Sequence, residues 1–247
     1  MTPVQVSFLG SGDAFCAAGR HQAGYLVRGA ESTVLLDCGA TTLGALKRDG
    51  ISSAAIDAVL ISHMHGDHFG GLPFLFLEYV YVEPRRRPLR IAGPPGIAAR
   101  VHDLFRAMYR DAAVEPLPYP LEFVELQPNA PIELDGVRVE GFRVPHTETD
   151  LSLGLRVDVE GRRILYSGDT GWTEELVRQS QGTDLFICEC CFYETRLDFH
   201  LDYPRLEANH DRFGTRRLIL THFGREVLAR RSALGLELAH DGLTVEV

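Results

Sequence analysis

Three imidazoles and a carboxylate, His63-Met64-His65-Gly66-Asp67-His68, follow directly on the apolar segment Ala58-Val59-Leu60-Ile61-Ser62. No other feature constrains the chain as tightly. The apolar run reads as a buried strand, and at its end His63 and His65, two apart, point the same way and can share one cation. Gly66 permits a sharp turn, after which Asp67 and His68 can face a different direction and reach a second. A lone histidine is usually a satisfied core or surface residue, but this density reads as a site for two metal ions.

With 247 residues, 45% hydrophobic and 24% charged, the chain can bury a substantial core, and one domain over residues 1–247 is expected. A net charge of −9 repels a polyanion unless metals and local arginines reverse the field, which disfavours long nucleic acid. Pro3 to Leu9 is too short for a signal peptide. The longest apolar stretch, Leu72 to Val82, contains Pro73 and Glu78 and falls short of a membrane span, so a cytoplasmic protein is expected. Its apolar face could serve a homodimer contact or simply pack in the core. The five cysteines, Cys16, Cys38, Cys188, Cys190 and Cys191, lack the spacing of a disulfide framework and read as reduced thiols, although Cys188-Glu189-Cys190-Cys191 could in principle hold a metal. The run Arg85-Arg86-Arg87 reads as a solvated loop.

Short β-rich runs alternate with amphipathic stretches. Strands are expected over Val4 to Leu9, Gly24 to Val27, Thr33 to Leu36 and Ala58 to Ser62, with helices from about Ala40 to Arg48, from near Gly70, and from Gly93-Pro94-Pro95-Gly96 to about Arg110. Further strands follow around Leu121 to Leu126, in a hairpin turning at Asp135-Gly136, and near Leu151 to Val157 and Arg163 to Tyr166. The second half echoes the first. Leu218-Ile219-Leu220-Thr221-His222 resembles Val59-Leu60-Ile61-Ser62-His63, and Tyr166-Ser167-Gly168-Asp169-Thr170 loosely resembles Leu35-Leu36-Asp37-Cys38-Gly39. Two such units would give two sheets packed face to face with helices outside. Short apolar strands share a small alphabet, so chance can also produce the echo.

His146, Asp169 and His222 each lie where an extended segment gives way to a loop, the usual place for a site. Singly each is an ordinary loop residue; jointly they supply what the first cluster lacks for two metals.

The combined pattern, an HxHxDH run followed by a later His, Asp and His, resembles the metallo-β-lactamase superfamily over essentially the whole chain. The resemblance implies an α/β fold, a four-layer αββα sandwich of two mixed sheets. It also implies that His63, His65 and His146 bind one zinc and Asp67, His68 and His222 the other, with Asp169 bridging. Asp37 would orient the ligand-bearing loop. Within the superfamily the chain is most similar to the ribonuclease Z branch and its small phosphodiesterase relatives, through Glu189 after the strand Asp184 to Cys188 and His200 before the helical segment Pro204 to His210. Without that match, Glu189 would read as a solvated strand end and His200 as a surface loop residue.

This resemblance implies a hydrolase in which a hydroxide held between two divalent cations attacks phosphorus, with His200, oriented by Glu189, protonating the leaving oxygen. Zinc is expected, with manganese or iron compatible with the same N/O ligands. The chain has no long Gly/Pro-rich inserted arm and no basic loop after Gly12. With the acidic balance, this favours a small or cyclic phosphodiester or nucleotide over RNA. A ribonuclease Z-like RNA 3′-end endonuclease, a lactone, thioester or carboxylic ester hydrolase with Tyr166 or Tyr193 at an oxyanion, and a non-enzymatic metal-binding protein stay open as alternatives. Specificity is expected in the insert from Phe69 to Val114, with Phe69, Phe74 and Tyr79 lining the entrance or packing.

Overall fold

A computed structural model describes residues 3–112 and 116–247; Val114, the expected end of the insert, lies outside them. Strand β1 (Gln5–Gly10) pairs with β2 (Gly24–Arg28), and β2 with β3 (Thr33–Leu36), both antiparallel. From β3 the sheet continues in parallel through β4 (Ala58–Leu60), β5 (Leu89–Gly93) and β6 (Leu121–Glu125). The second sheet begins with the hairpin β7 (Ile132–Leu134) and β8 (Val137–Arg143), where Asp135 and Gly136 take φ of 51° and 80°, as the Asp-Gly turn requires. It runs antiparallel through β9 (Leu153–Val159) to β10 (Arg162–Tyr166), then in parallel through β11 (Leu185–Glu189) to β12 (Leu218–Thr221). A last strand, β13 (Thr244–Glu246), returns to the free edge of β1.

Period-2 alternation sorts the strand side chains into layers. Phe8, Tyr25, Val27, Val34, Leu36 and Leu60 face the second sheet and join Val139, Leu155, Val157 and Tyr166 in one buried cluster. Leu26, Leu35, Val59 and Ile91 face the other way and are covered by α1 (Thr42–Arg48), α3 (Leu72–Tyr81) and α4 (Ile97–Met108), through Leu46, Phe76 and Val101. Leu176 of α5 (Glu174–Ser180) and Leu206 of α6 (Tyr203–Asn209) join the cluster that contains Leu165 and Phe186, completing the fourth layer. The expected αββα sandwich of two mixed sheets is therefore present. Two further short helices, α2 (Gly66–Phe69) and α7 (Arg225–Arg230), begin just beyond the site residues.

Arg85 is buried, not solvated: its guanidinium donates to the carbonyls of Ile56, Arg87 and Pro88 and lies over the Tyr79 ring. Backbone oxygens stand in for the carboxylate that a buried cation would otherwise need. The apolar face of α3 goes into the core through Leu72, Leu75, Phe76 and Tyr79, leaving Tyr81 and Val82 exposed at its end. Among the described residues, no helix is long and apolar enough to cross a membrane.

Candidate metal centre

All seven histidines and aspartates singled out from the sequence converge beyond the C-terminal ends of strands, where parallel sheets leave a crevice. His63, His65 and His146 bring ligand atoms within 4.8 Å of one another, and so do Asp67, His68, Asp169 and His222. The local route differs from the expected one. Strand β4 stops at Leu60, so His63 and His65 sit on the following loop instead of one strand face. Their rings are 4.7 Å apart and each packs edge-on against His146. His65 is the N-cap of α2, which places Asp67 and His68 on the first helical turn and turns them away from the first pair.

Each ring is oriented by a partner on its far side. His68 Nδ1 donates to Asp37 Oδ2 at 2.7 Å, and His146 Nδ1 donates to the Phe199 carbonyl at 2.9 Å, which leaves both Nε2 atoms facing inward. His68 Nε2 lies 3.1 Å from Asp67 Oδ2 and 3.4 Å from Asp169 Oδ2, while His222 Nε2 lies 3.5 Å and 3.3 Å from the same two atoms. Asp169 Oδ2 also lies 3.9 Å from His146 Nε2, so this one oxygen faces both groups of histidines. Gly168, at φ 60°, makes the turn that aims Asp169; a Cβ there would meet the Leu153 carbonyl at 2.5 Å.

Asp37 is buried at φ 58° and accepts four hydrogen bonds, from Ser62 N, Ser62 Oγ, His68 Nδ1 and the Tyr166 hydroxyl. Tyr166 is thus occupied in holding Asp37, and Tyr193 stacks on Tyr203 at 5.9 Å away from the cavity wall, so neither is placed to meet an oxyanion. Four buried ring nitrogens, His63 Nε2, His68 Nε2 and both of His222, together with Asp169 Oδ1, have no hydrogen-bond partner among the described residues. Orphaned buried atoms of this kind are costly unless something binds them. Their convergence, with carboxylate and imidazole the only donor types, fits divalent cations such as zinc.

The charges agree with this reading. Burial opposes ionisation of Asp67 and Asp169, but the neighbouring His68 and His222 outweigh it and hold both carboxyls well below the usual range. Burial likewise opposes charge on His68 and His222, yet the aspartates push both pKa values well above the histidine norm. His63 goes the other way, lowered by burial and then by repulsion from His68, and burial lowers His146.

Glu189 and His200 are not the solvated residues that composition alone suggests. Glu189 is fully buried at the end of β11, and Oε1 accepts from His200 Nδ1 at 2.9 Å and from Thr170 N at 2.7 Å. Oε2 accepts from the amides of Cys191 and Leu201. Burial works against a charged His200, but the Glu189 carboxylate overcomes it and raises the pKa. His200 Nε2 is left for the cavity.

That cavity, of about 790 Å³, is bounded by the cluster, by Asp13 and Phe15 after β1, by Thr147 and Glu148 after His146, by Phe192 and Phe199, and by Arg225. Among the described residues, none of its lining comes from the insert after Phe69, where specificity was expected; Phe69 and Tyr79 are core residues. Phe15 (88% exposed) and Phe199 (45%) stand at its mouth instead. Exposed phenylalanines beside turn residues were the available signal for them. Nothing in the local pattern marked Asp13, whose carboxylate accepts from Phe15 N and Ala17 N and shapes the loop.

Comparisons place these features in a family. The family described as anti-Pycsar protein Apyc1 matches residues 4–239. Ribonuclease Z of Agathobacter rectalis is 29% identical over 244 residues, 78% of each chain. The short form of human tRNase Z superposes with a TM-score of 0.77 at 25% identity, covering 98% of both chains. A diphosphatase of the PhnP family superposes with a TM-score of 0.78 at 18% identity, covering 99% of this chain and 98% of that one. The chain therefore belongs to the anti-Pycsar Apyc1 family and is a metallo-β-lactamase-fold hydrolase near ribonuclease Z.

Proposed function

We propose that this chain, as one domain over residues 1–247, is a dizinc phosphodiesterase that cleaves a small or cyclic phosphodiester, such as a nucleotide. The observation that carries the reading is the cavity of about 790 Å³ with a histidine–glutamate pair facing the cation-binding cluster. That volume suits a small molecule. Exposed Phe15 and Phe199 offer planar faces to a base.

In this reading His63, His65 and His146 would hold one cation and Asp67, His68 and His222 the other, with Asp169 serving both. Paired divalent cations supply an acidified water and polarise a phosphoryl oxygen. The protein's own contribution is orientation and proton transfer. Asp37, held by Ser62 and Tyr166, keeps His68 in the tautomer whose Nε2 is free. His200 carries a proton on Nε2 toward the leaving oxygen, and Glu189 fixes its ring and favours its charged form. A positioned acid matters because an alkoxide is a poor leaving group at neutral pH.

Protein reconstituted with zinc or manganese is expected to hydrolyse bis(p-nitrophenyl) phosphate and cyclic nucleotides, with both activities abolished in Asp67→Ala. Absence of turnover with two cations bound refutes the reading and favours a lactone or thioester. The names of the relatives favour a second reading, endonucleolytic processing of RNA 3′ ends; cleavage of a transfer-RNA precursor faster than of any small phosphodiester would establish it instead.

A further inference from the structure

The three thiols at the end of β11 do not share one environment. Cys188 and Cys190 are fully buried in the hydrophobic core. Cys191 is 5% exposed and forms part of the cavity wall, beside His200 and His222. Its Sγ and one nitrogen from each of those histidines lie within 4.8 Å of one another. Donors sharing a zinc-sized ion at about 2.3 Å for sulfur and 2.1 Å for nitrogen stand roughly 3.5 Å apart, so the trio closes on a cation with side-chain shifts of about 1 Å.

The three groups are also available. His200 uses Nδ1 on Glu189 and keeps Nε2 free, and His222, 3% exposed, has no hydrogen-bond partner at either ring nitrogen. The backbone under the sulfur is fixed: Cys191 N donates to Glu189 Oε2, and Gly224 N donates to the Cys191 carbonyl at 3.0 Å, next to His222. A sulfur donor sets this group apart from the seven-residue cluster, which offers only nitrogen and oxygen.

We propose that Cys191, His200 and His222 form a third cation position, selective for thiophilic divalent ions such as cadmium or excess zinc, whose occupation inhibits the enzyme. The proposal rests on the reading of His200 as the acid and His222 as a resident ligand. On binding, the Cys191 S–H bond breaks, its proton passes to solvent and a sulfur–metal bond forms, with no redox change. The ion takes His200 Nε2, so the leaving oxygen loses its proton donor, and it competes with the aspartate pair for His222. Thiophilic ions therefore activate at two equivalents and inhibit beyond them, whereas manganese, a poor partner for thiolate, only activates.

Titration of metal-free protein with cadmium, followed by ultraviolet thiolate-to-metal charge transfer and by bound-metal content, tests this directly. The band is expected only after two equivalents are bound. Cys191→Ser and Cys191→Ala abolish it, and Cys190→Ala retains it. In the wild-type protein, hydrolysis of an alkyl phosphodiester falls in step with the band, by about 10²-fold or more at saturation, the size of a lost general acid. A band that arrives with the first two equivalents, survives both Cys191 variants or never forms overturns the proposal. So does inhibition without a band, which points to His146, Asp169 and His200, also within 4.8 Å of one another. The spectral readout needs no turnover: a Cys191-dependent third equivalent on an inactive protein keeps the site and removes the phosphodiesterase reading.

Discussion

Replacing Glu189 by glutamine changes a single atom in a carboxylate that serves four donors. Oε1 takes Thr170 N at 2.7 Å and His200 Nδ1 at 2.9 Å; Oε2 takes Cys191 N at 3.2 Å and Leu201 N at 3.3 Å. A carboxamide accepts on one side only. Keeping its oxygen on the shorter pair sets its NH₂ against two amides, orphaning each at about 1–3 kcal/mol. The retained bonds also lose their charge, at about 1 kcal/mol each. The long pair at 3.2 and 3.3 Å puts the sum toward its lower end, about 4 kcal/mol, or roughly 10 °C in Tm for a chain this size. The same change acts on His200, whose raised pKa depends on Glu189. A group raised in the folded state contributes stability that is fully present below its ordinary pKa and is lost as pH rises through the raised value. Protonated His200 follows the same course, so in the variant the alkaline limb of kcat/KM moves to lower pH. Calorimetry and a pH–rate profile on an alkyl phosphodiester measure both effects. A lower Tm with an unmoved alkaline limb would refute His200 as the acid while leaving Glu189 as a clamp; an unchanged Tm would refute the clamp.

Three further outcomes follow from the geometry. His200→Ala should slow alkyl phosphodiesters about 10²- to 10⁴-fold while slowing p-nitrophenyl esters far less, as measured by single-turnover rates; equal losses would remove the acid role. Burial favours the neutral forms of His63 and His146, whereas the neighbouring aspartates favour the protonated forms of His68 and His222 in the metal-free protein. The first zinc should therefore bind with little proton release and the second with release of up to two protons, its affinity rising steeply with pH; calorimetry in buffers of different ionisation enthalpy reads this. Tyr166→Phe takes one of four donors from Asp37, and should cost about 1–2 kcal/mol in denaturant unfolding and roughly tenfold in affinity for the second cation, without shifting the pH profile.

The legible parts of this protein are those where chemistry and chain direction coincide. Apolar segments leading to His63, Asp169 and His222 are local patterns, and the Asp-Gly hairpin carries its own dihedral requirement, so strands, candidate ligands and fold class follow from residues read in order. The bounds of β3 match the reading residue for residue, whereas β5 escaped it because Leu89 to Gly93 is short and interrupted by Arg90. Arg85 was misread because its burial depends on the carbonyl of Ile56, 29 residues away, which no local rule reveals. The cavity lining was misplaced for a related reason. Phe15 and Phe199 are 184 residues apart and become neighbours of one opening only when the sheets close.

That closure has a kinetic consequence. His63, His65, Asp67 and His68 follow β4 of the first sheet, while His146, Asp169 and His222 follow β8, β10 and β12 of the second. Neither sheet alone brings a full set of donors, so the cluster does not exist until the two halves have docked. A cation then acts as a rivet and not as a nucleus: its full set of donors forms only once the sheets pack, and a bound cation opposes their parting. Metal should slow unfolding while leaving the folding rate nearly unchanged, and its scarcity in a cell would show first as a shorter lifetime against proteases, before any failure to fold.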